Sequence, residues 1–114
     1  MKDCIFCNIA AKKIPAETVY EDNDLVAFND INPQAPMHAV VIPKKHIERV
    51  SDLKPEDADL AGRMILAANR IAKKTRVADS GYRIVINCNK DAGQAVFHVH
   101  IHILGGRRMN WPPG

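Results

Sequence analysis

Apolar and polar positions change their period along the chain, and the changes mark the elements. Ile5, Phe6 and Ile9 stand at helical spacing within residues 3–12, which predicts a short first helix. Pro15 closes it, because proline disfavours helix in the residue before it. Thr18 to Glu21 and Leu25 to Asn29 are short β-prone runs around Asp22-Asn23-Asp24, a hairpin pattern. A loop with two prolines, residues 30–36, leads into a third strand over 37–42, stopped by Pro43. Pro55 then suits a first helical turn, where its missing N–H costs nothing. Glu56, Asp57 and Asp59 favour the positive end of the helix dipole. Ala61, Met64, Ile65, Ala68, Ile71 and Ala72 repeat at helical spacing, and Lys73, Lys74 and Arg76 gather beyond them, so a long helix is predicted over 55–76. Two further strands, 82–88 and 96–104, complete the order helix, three strands, helix, two strands. Only one long helix separates strands, so an α+β fold on an antiparallel sheet fits better than a parallel βαβαβ arrangement.

The 114 residues amount to a single domain, 1–114, with one modest core. Aromatic residues are 5% of the chain, so that core must rest on aliphatic side chains. No apolar run approaches the ~20 residues of a membrane helix, and no secretory signal is visible around Met1-Lys2-Asp3-Cys4. A cytoplasmic protein with no membrane partner is expected. The net charge of +3 is spread along the chain without a reader motif, so no nucleic-acid partner is expected either. The three cysteines, Cys4, Cys7 and Cys88, are an odd number, which argues for a reducing compartment rather than a disulfide framework.

The distinctive segment is 98–104, His-Val-His-Ile-His-Ile-Leu. Side chains alternate faces along a strand, so His98, His100 and His102 should share one face and Val99, Ile101 and Ile103 the other. Histidines so placed can grip a metal, or can act as nucleophile and proton handler near neutral pH. The residues just upstream favour the second chemistry. Asp91 to Val96 supply a glycine, an amide side chain and backbone N–H groups suited to phosphate oxygens.

HVHIHIL resembles the His-φ-His-φ-His-φ-φ signature of the histidine triad (HIT) superfamily, φ being apolar. DINPQAPMHAVVIPKKHI resembles the N-terminal half of that family, and GYRIVIN with GQAVFHVHIHILGGRRMNWPPG its C-terminal half. The Trp-Pro-Pro-Gly end is similar to the HINT branch, the histidine triad nucleotide-binding proteins. The resemblance implies a HIT-like fold, a five-stranded antiparallel sheet with one long and one short helix. It also implies a homodimer with a continuous ten-stranded sheet. The implied activity is that of a purine nucleoside phosphoramidase, which hydrolyses P–N bonds in adenosine 5′-phosphoramidate or aminoacyl-AMP adducts to AMP through a nucleotidyl-histidine. A purine-nucleotide-binding regulator with vestigial hydrolysis is the alternative. A zinc hydrolase with the triad as ligands is a further rival.

Carried over residue by residue, the resemblance makes His100 the nucleophile, His102 the phosphate contact and proton donor, and His38 part of the same proton network. Asp30 matches the acid that holds the ribose hydroxyls. Ile5, Phe6, Ile9, Phe28 and Ile31 match the apolar slot for the base, though such residues are also ordinary core. Asn87, Gly93, Gln94 and the Val96 amide match phosphate-side contacts, and Trp111 a tail residue reaching toward the partner subunit's site. The chain departs from the family at Ala95, where serine is frequent, and at Asn29 and Asn110, where some relatives have histidine.

Cys4 and Cys7 form a C-x-x-C pair whose thiols share one side of a helix. They are either two small buried hydrophobes or half of a metal site. HIT hydrolases with this pair use it for structural zinc, and the resemblance then supplies His46 and His98 as the other ligands. Cys₂His₂ is a closed tetrahedral set, and catalysis itself would need no cofactor.

Overall fold

The computed structural model describes residues 3–114; Met1 and Lys2 of the N-terminal reading lie outside the described residues. The elements run α1 (Ile5–Ala10), β1 (Thr18–Glu21), β2 (Leu25–Asn29), β3 (Met37–Pro43), α2 (Ala58–Lys74), β4 (Tyr82–Val85), α3 (Asn89–Ala92) and β5 (Ile101–Gly105), with single 3₁₀ turns at Val50–Asp52 and Pro55–Asp57. The strands build one sheet in the order β1-β2-β3-β5-β4, and every neighbouring pair is antiparallel. This is the α+β arrangement that the element order predicts. Among the described residues, no helix is long and apolar enough to cross a membrane.

The central strand β3 is apolar at nearly every position because both of its faces are covered. On one face Leu25, Ala27, Ala39, Val41, Ile101 and Ile103 pack against Met64, Ala67, Ala68 and Ile71 of α2. On the other, Val26, Phe28, Val40 and Ile42 pack against Phe6, Ile9 and Ala10 of α1. Val40 pairs with His102, so the α1 face is the one on which the last triad histidine stands.

The long helix opens with a 3₁₀ turn rather than directly at Pro55. There the buried Asp57 accepts the Lys54 N–H (3.0 Å) and the Lys45 ammonium (2.9 Å). Beyond α2, a Cβ at Gly105 would meet Val77 Cβ at 2.7 Å, so glycine alone lets β5 approach this segment.

Two strand boundaries and one short element differ most from the sequence reading. β4 stops at Val85, not at residue 88, and residues 89–92 form the unpredicted turn α3, closed by Gly93 at φ 83°. β5 starts at Ile101, not at residue 96. The ladder ends there on both sides: Val41 pairs with Ile101 and Val85 with His102. Upstream, the Val99 N–H turns instead to the Ile47 carbonyl (2.6 Å).

Candidate active site and metal cluster

His100 is buried and its ring lies 4.9 Å from that of His102 and edge-on to Phe6 at 5.1 Å. Its Nδ1 is 2.7 Å from the His98 carbonyl oxygen. A carbonyl only accepts, so Nδ1 carries the proton and Nε2 keeps a free lone pair. Burial lowers the pKa of His100, although the carbonyl bond and Asp30 pull the other way. At neutral pH the ring is therefore an uncharged base with one lone pair exposed for bonding.

His38 and His102 form a directed pair. The Gln34 backbone N–H donates to His38 Nδ1 (3.0 Å), so the His38 proton sits on Nε2. That Nε2–H points at His102 Nδ1, 2.9 Å away, with Asp30 Oδ2 at 3.4 Å beside it. His102 must then carry its own proton on Nε2. Burial, reinforced by His100 and His38, pushes its pKa down to about 4. Asp30 itself is held through Oδ1, which accepts the Asn32 N–H at 2.8 Å. Candidate ligand atoms of Asp30, His38 and His102 lie within 4.8 Å of one another, as in a metal site. The chemistry does not fit one: His38 turns an N–H into the cluster and no lone pair.

A second cluster has the opposite character. Candidate ligand atoms of Cys4, Cys7, His46 and His98 also lie within 4.8 Å of one another. His98 is completely buried and its Nε2 is 2.7 Å from the Pro43 carbonyl oxygen, so Nε2 holds the proton and Nδ1 a lone pair. That lone pair faces Cys4 Sγ (3.3 Å), Cys7 Sγ (3.4 Å) and His46 Nδ1 (3.2 Å). Zinc, at about 2.0 Å from nitrogen and 2.3 Å from sulfur, holds tetrahedral ligand atoms about 3.3–3.8 Å apart. The residues thus fit a tetrahedral Cys₂His₂ cation site. Burial and the neighbouring Cys4 push the Cys7 thiol up, so a cation is what would draw off its proton.

The other predicted residues separate into groups. Phe6, Ile9 and Phe28 come together as one apolar wall, with Phe6 and Phe28 edge-to-face at 5.4 Å. Ile5, Ile31 and Trp111 stand at the surface instead, Ile31 at 99% exposure. Asn87 is half-buried just past β4, and Gly93 caps α3. Gln94 is buried and its side chain is occupied by the protein itself. Its Oε1 accepts the Asn89 N–H (2.8 Å), and its Nε2 donates to the Glu48 (2.8 Å) and Val96 (3.1 Å) carbonyls. The amide expected to face a phosphate is therefore a strut between the His46 segment and the loop before the triad. The backbone groups of Gln34, Pro43 and Glu48, which set these tautomers and contacts, carry no side-chain signal that a sequence could show.

Beside the cysteine cluster opens a cavity of about 540 Å³ lined by Cys4, Ile5, His46, Glu48, Val96 and Phe97 among others. None of His38, His100 and His102 lines it.

Comparison with known proteins agrees with this fold. The HIT domain family matches residues 11–109. Protein HitA of Neisseria gonorrhoeae is 51% identical over 105 residues, 92% of this chain and 97% of that protein. The crystal structure of a HIT family hydrolase from Legionella pneumophila Philadelphia 1 superposes with a TM-score of 0.97 at 46% identity, over 98% of this chain and 100% of that one. A histidine triad nucleotide-binding protein from Candida albicans matches with a TM-score of 0.82 at 28% identity, over 96% and 83%. Three histidines in one alternating run leading into β5, their backbone-locked tautomers and a matched domain over most of the chain lead to one conclusion: this protein belongs to the histidine triad family, a family of hydrolases and nucleotide-binding proteins.

Proposed function

We propose that the protein is a purine nucleoside phosphoramidase that releases AMP from adenosine 5′-phosphoramidate or aminoacyl-AMP-type P–N bonds. One observation carries the reading: the His98 carbonyl holds the His100 proton on Nδ1, which leaves Nε2 as an uncharged nucleophile. His100 Nε2 would bond to the α-phosphorus as the P–N bond breaks. The leaving amine takes its proton from His102 Nε2–H, while the His38 Nε2–H bond to Nδ1 holds that ring in place and steadies the charge left on it. Water then attacks phosphorus and gives a proton back to His102 Nε2, the bond from phosphorus to His100 Nε2 breaks, and AMP departs. The wall of Phe6, Ile9 and Phe28 suits a purine face, and the exposed Ile5 and Ile31 would complete the slot. Asp30 suits ribose hydroxyls, and Asn87, Gly93 and the Val96 amide suit phosphate oxygens.

The chemistry itself needs no cofactor in this reading. Cys4, Cys7, His46 and His98 would hold a structural zinc, which supplies folding energy and offers no open position to substrate. The molecule would work as a cytoplasmic homodimer joined through α2 and the edge strand β4, with Trp111, 83% exposed, extending toward the partner's site.

A regulator that binds purine nucleotides with vestigial hydrolysis is the second reading, favoured by Ala95 in place of the serine common in relatives. Turnover of adenosine 5′-phosphoramidate by the wild type against His100→Ala separates the two. Loss of turnover with AMP binding retained supports the phosphoramidase. Negligible wild-type turnover with tight AMP binding supports the regulator, and equal turnover in both proteins sinks the nucleophile assignment.

A further inference from the structure

The cysteine cluster and the nucleophile share parts. His98 faces the thiols through Nδ1, and its backbone carbonyl holds the His100 tautomer. Phe6 sits between the two cysteines in sequence and packs edge-on to both His98 (6.0 Å) and His100 (5.1 Å). His46 belongs to the segment whose Ile47 and Glu48 carbonyls bind Val99 and Gln94. Structural zinc sites are ordinarily closed, yet here Cys4 and His46 line an open cavity of about 540 Å³.

We propose that Cys4 and Cys7 are a reversible oxidation site that unlatches His100, the substrate for the oxidation being a small peroxide. One thiolate attacks a peroxide oxygen, the O–O bond breaks and a sulfenic acid forms. The second sulfur displaces the hydroxyl, so an S–S bond forms, each sulfur gives up one electron, and the two thiol protons leave with the peroxide oxygens, as two waters from hydrogen peroxide or as one water and one alcohol from an organic peroxide. Cys4 and Cys7 would then no longer serve as ligands, leaving only His46 and His98 of the four residues that would hold a cation. Cys4 is the extended N-cap of α1 and Cys7 lies in its first turn, and a disulfide would hold their Cβ atoms at about 3.5–4.5 Å. Closing the bond therefore fixes the turn that carries Phe6, and a cation at His98 would lose its thiolate ligands with it. Both supports of the His100 ring move together. Cys88 is outside the cluster, with Ser51 Oγ as its contact at 3.4 Å, and takes no part.

The inference rests on the phosphoramidase reading for its kinetic readout and on the zinc reading for its metal readout. The test uses the full chain carrying Cys88→Ser, purified under reductant, with zinc content measured first by elemental analysis. Hydrogen peroxide should remove both remaining thiols, release the zinc to a chromogenic chelator and shift the His100 signals in ¹⁵N-histidine NMR spectra. Turnover of adenosine 5′-phosphoramidate should fall by about 100-fold, the scale of loss from ångström-level misplacement. Dithiothreitol with zinc should restore all of it, which distinguishes the disulfide from methionine oxidation. Thiols that survive peroxide while turnover persists overturn the proposal. So does a disulfide that forms while the His100 signals and turnover stay unchanged. Protein that is zinc-free yet loses its NMR signature and turnover on oxidation overturns only the zinc reading. Absence of turnover in the reduced protein overturns only the phosphoramidase reading, and the NMR shift then decides the latch.

Discussion

His38 Nε2 donates to His102 Nδ1 across 2.9 Å, and the direction of that bond is set from outside, by the Gln34 N–H on His38 Nδ1. One backbone group thereby orients two imidazoles and turns the His102 Nε2–H outward. Replacing His38 by Asn removes the donor that selects this tautomer. We expect kcat on a phosphoramidate to fall about 100-fold, the usual range for loss of general acid–base assistance, with KM changed little. An unchanged kcat would remove His38 from the proton path.

Acid should destabilise the fold through His102. The unfolded chain takes up a proton there near pH 6.5, the folded chain only near pH 4. Between these values the unfolded state binds more protons, so stability falls as the pH drops through this window and levels off below it. The loss is at most about 3 kcal/mol, at roughly 1.4 kcal/mol per pH unit, and the 20% exposure of the side chain trims it. Urea unfolding at pH 7 and pH 5 should show the drop in the wild type and a smaller one in His102→Gln.

Gln94→Ala should cost stability as well as turnover. The substitution strands the Asn89 N–H and the Glu48 and Val96 carbonyls. A fully buried group left without a partner costs about 1–3 kcal/mol; these are only partly buried, so water recovers part of that for each. We expect a loss of roughly 2–4 kcal/mol in chemical denaturation. A loss confined to AMP affinity would instead place the amide on the phosphate.

Leu66→Glu should yield a monomer. Leu66 is 61% exposed, Ile65 45% and Ile86 37%, apolar surface on α2 and just past the edge strand β4. A second copy of the chain would bury it, and a buried unpaired carboxylate there is strongly disfavoured. Light scattering at micromolar protein should report a dimer for the wild type and a monomer for the variant. A monomeric wild type with full turnover would refute the assembly.

Local periodicity carries most of the fold. The hairpin around Asp22-Asn23-Asp24, the α2 stripe and the alternation at Ile101 and Ile103 are written in neighbouring residues, because side-chain direction repeats with the backbone period. The histidine spacing and the C-x-x-C pair were legible for the same reason. Long-range partners were not. The fifth strand reads as starting at residue 96, yet the ladder begins only at Ile101, where β3 and β4 offer hydrogen bonds. Gln94 reads as a ligand residue, yet its amide is used by carbonyls at Glu48 and Val96. Convergence of Cys4, Cys7, His46 and His98, and the proton positions on His38, His98 and His100, depend on backbone groups from distant segments. Every residue carries those same backbone groups, so sequence cannot distinguish which will meet; only the tertiary packing of α1 and the loop before β5 decides it.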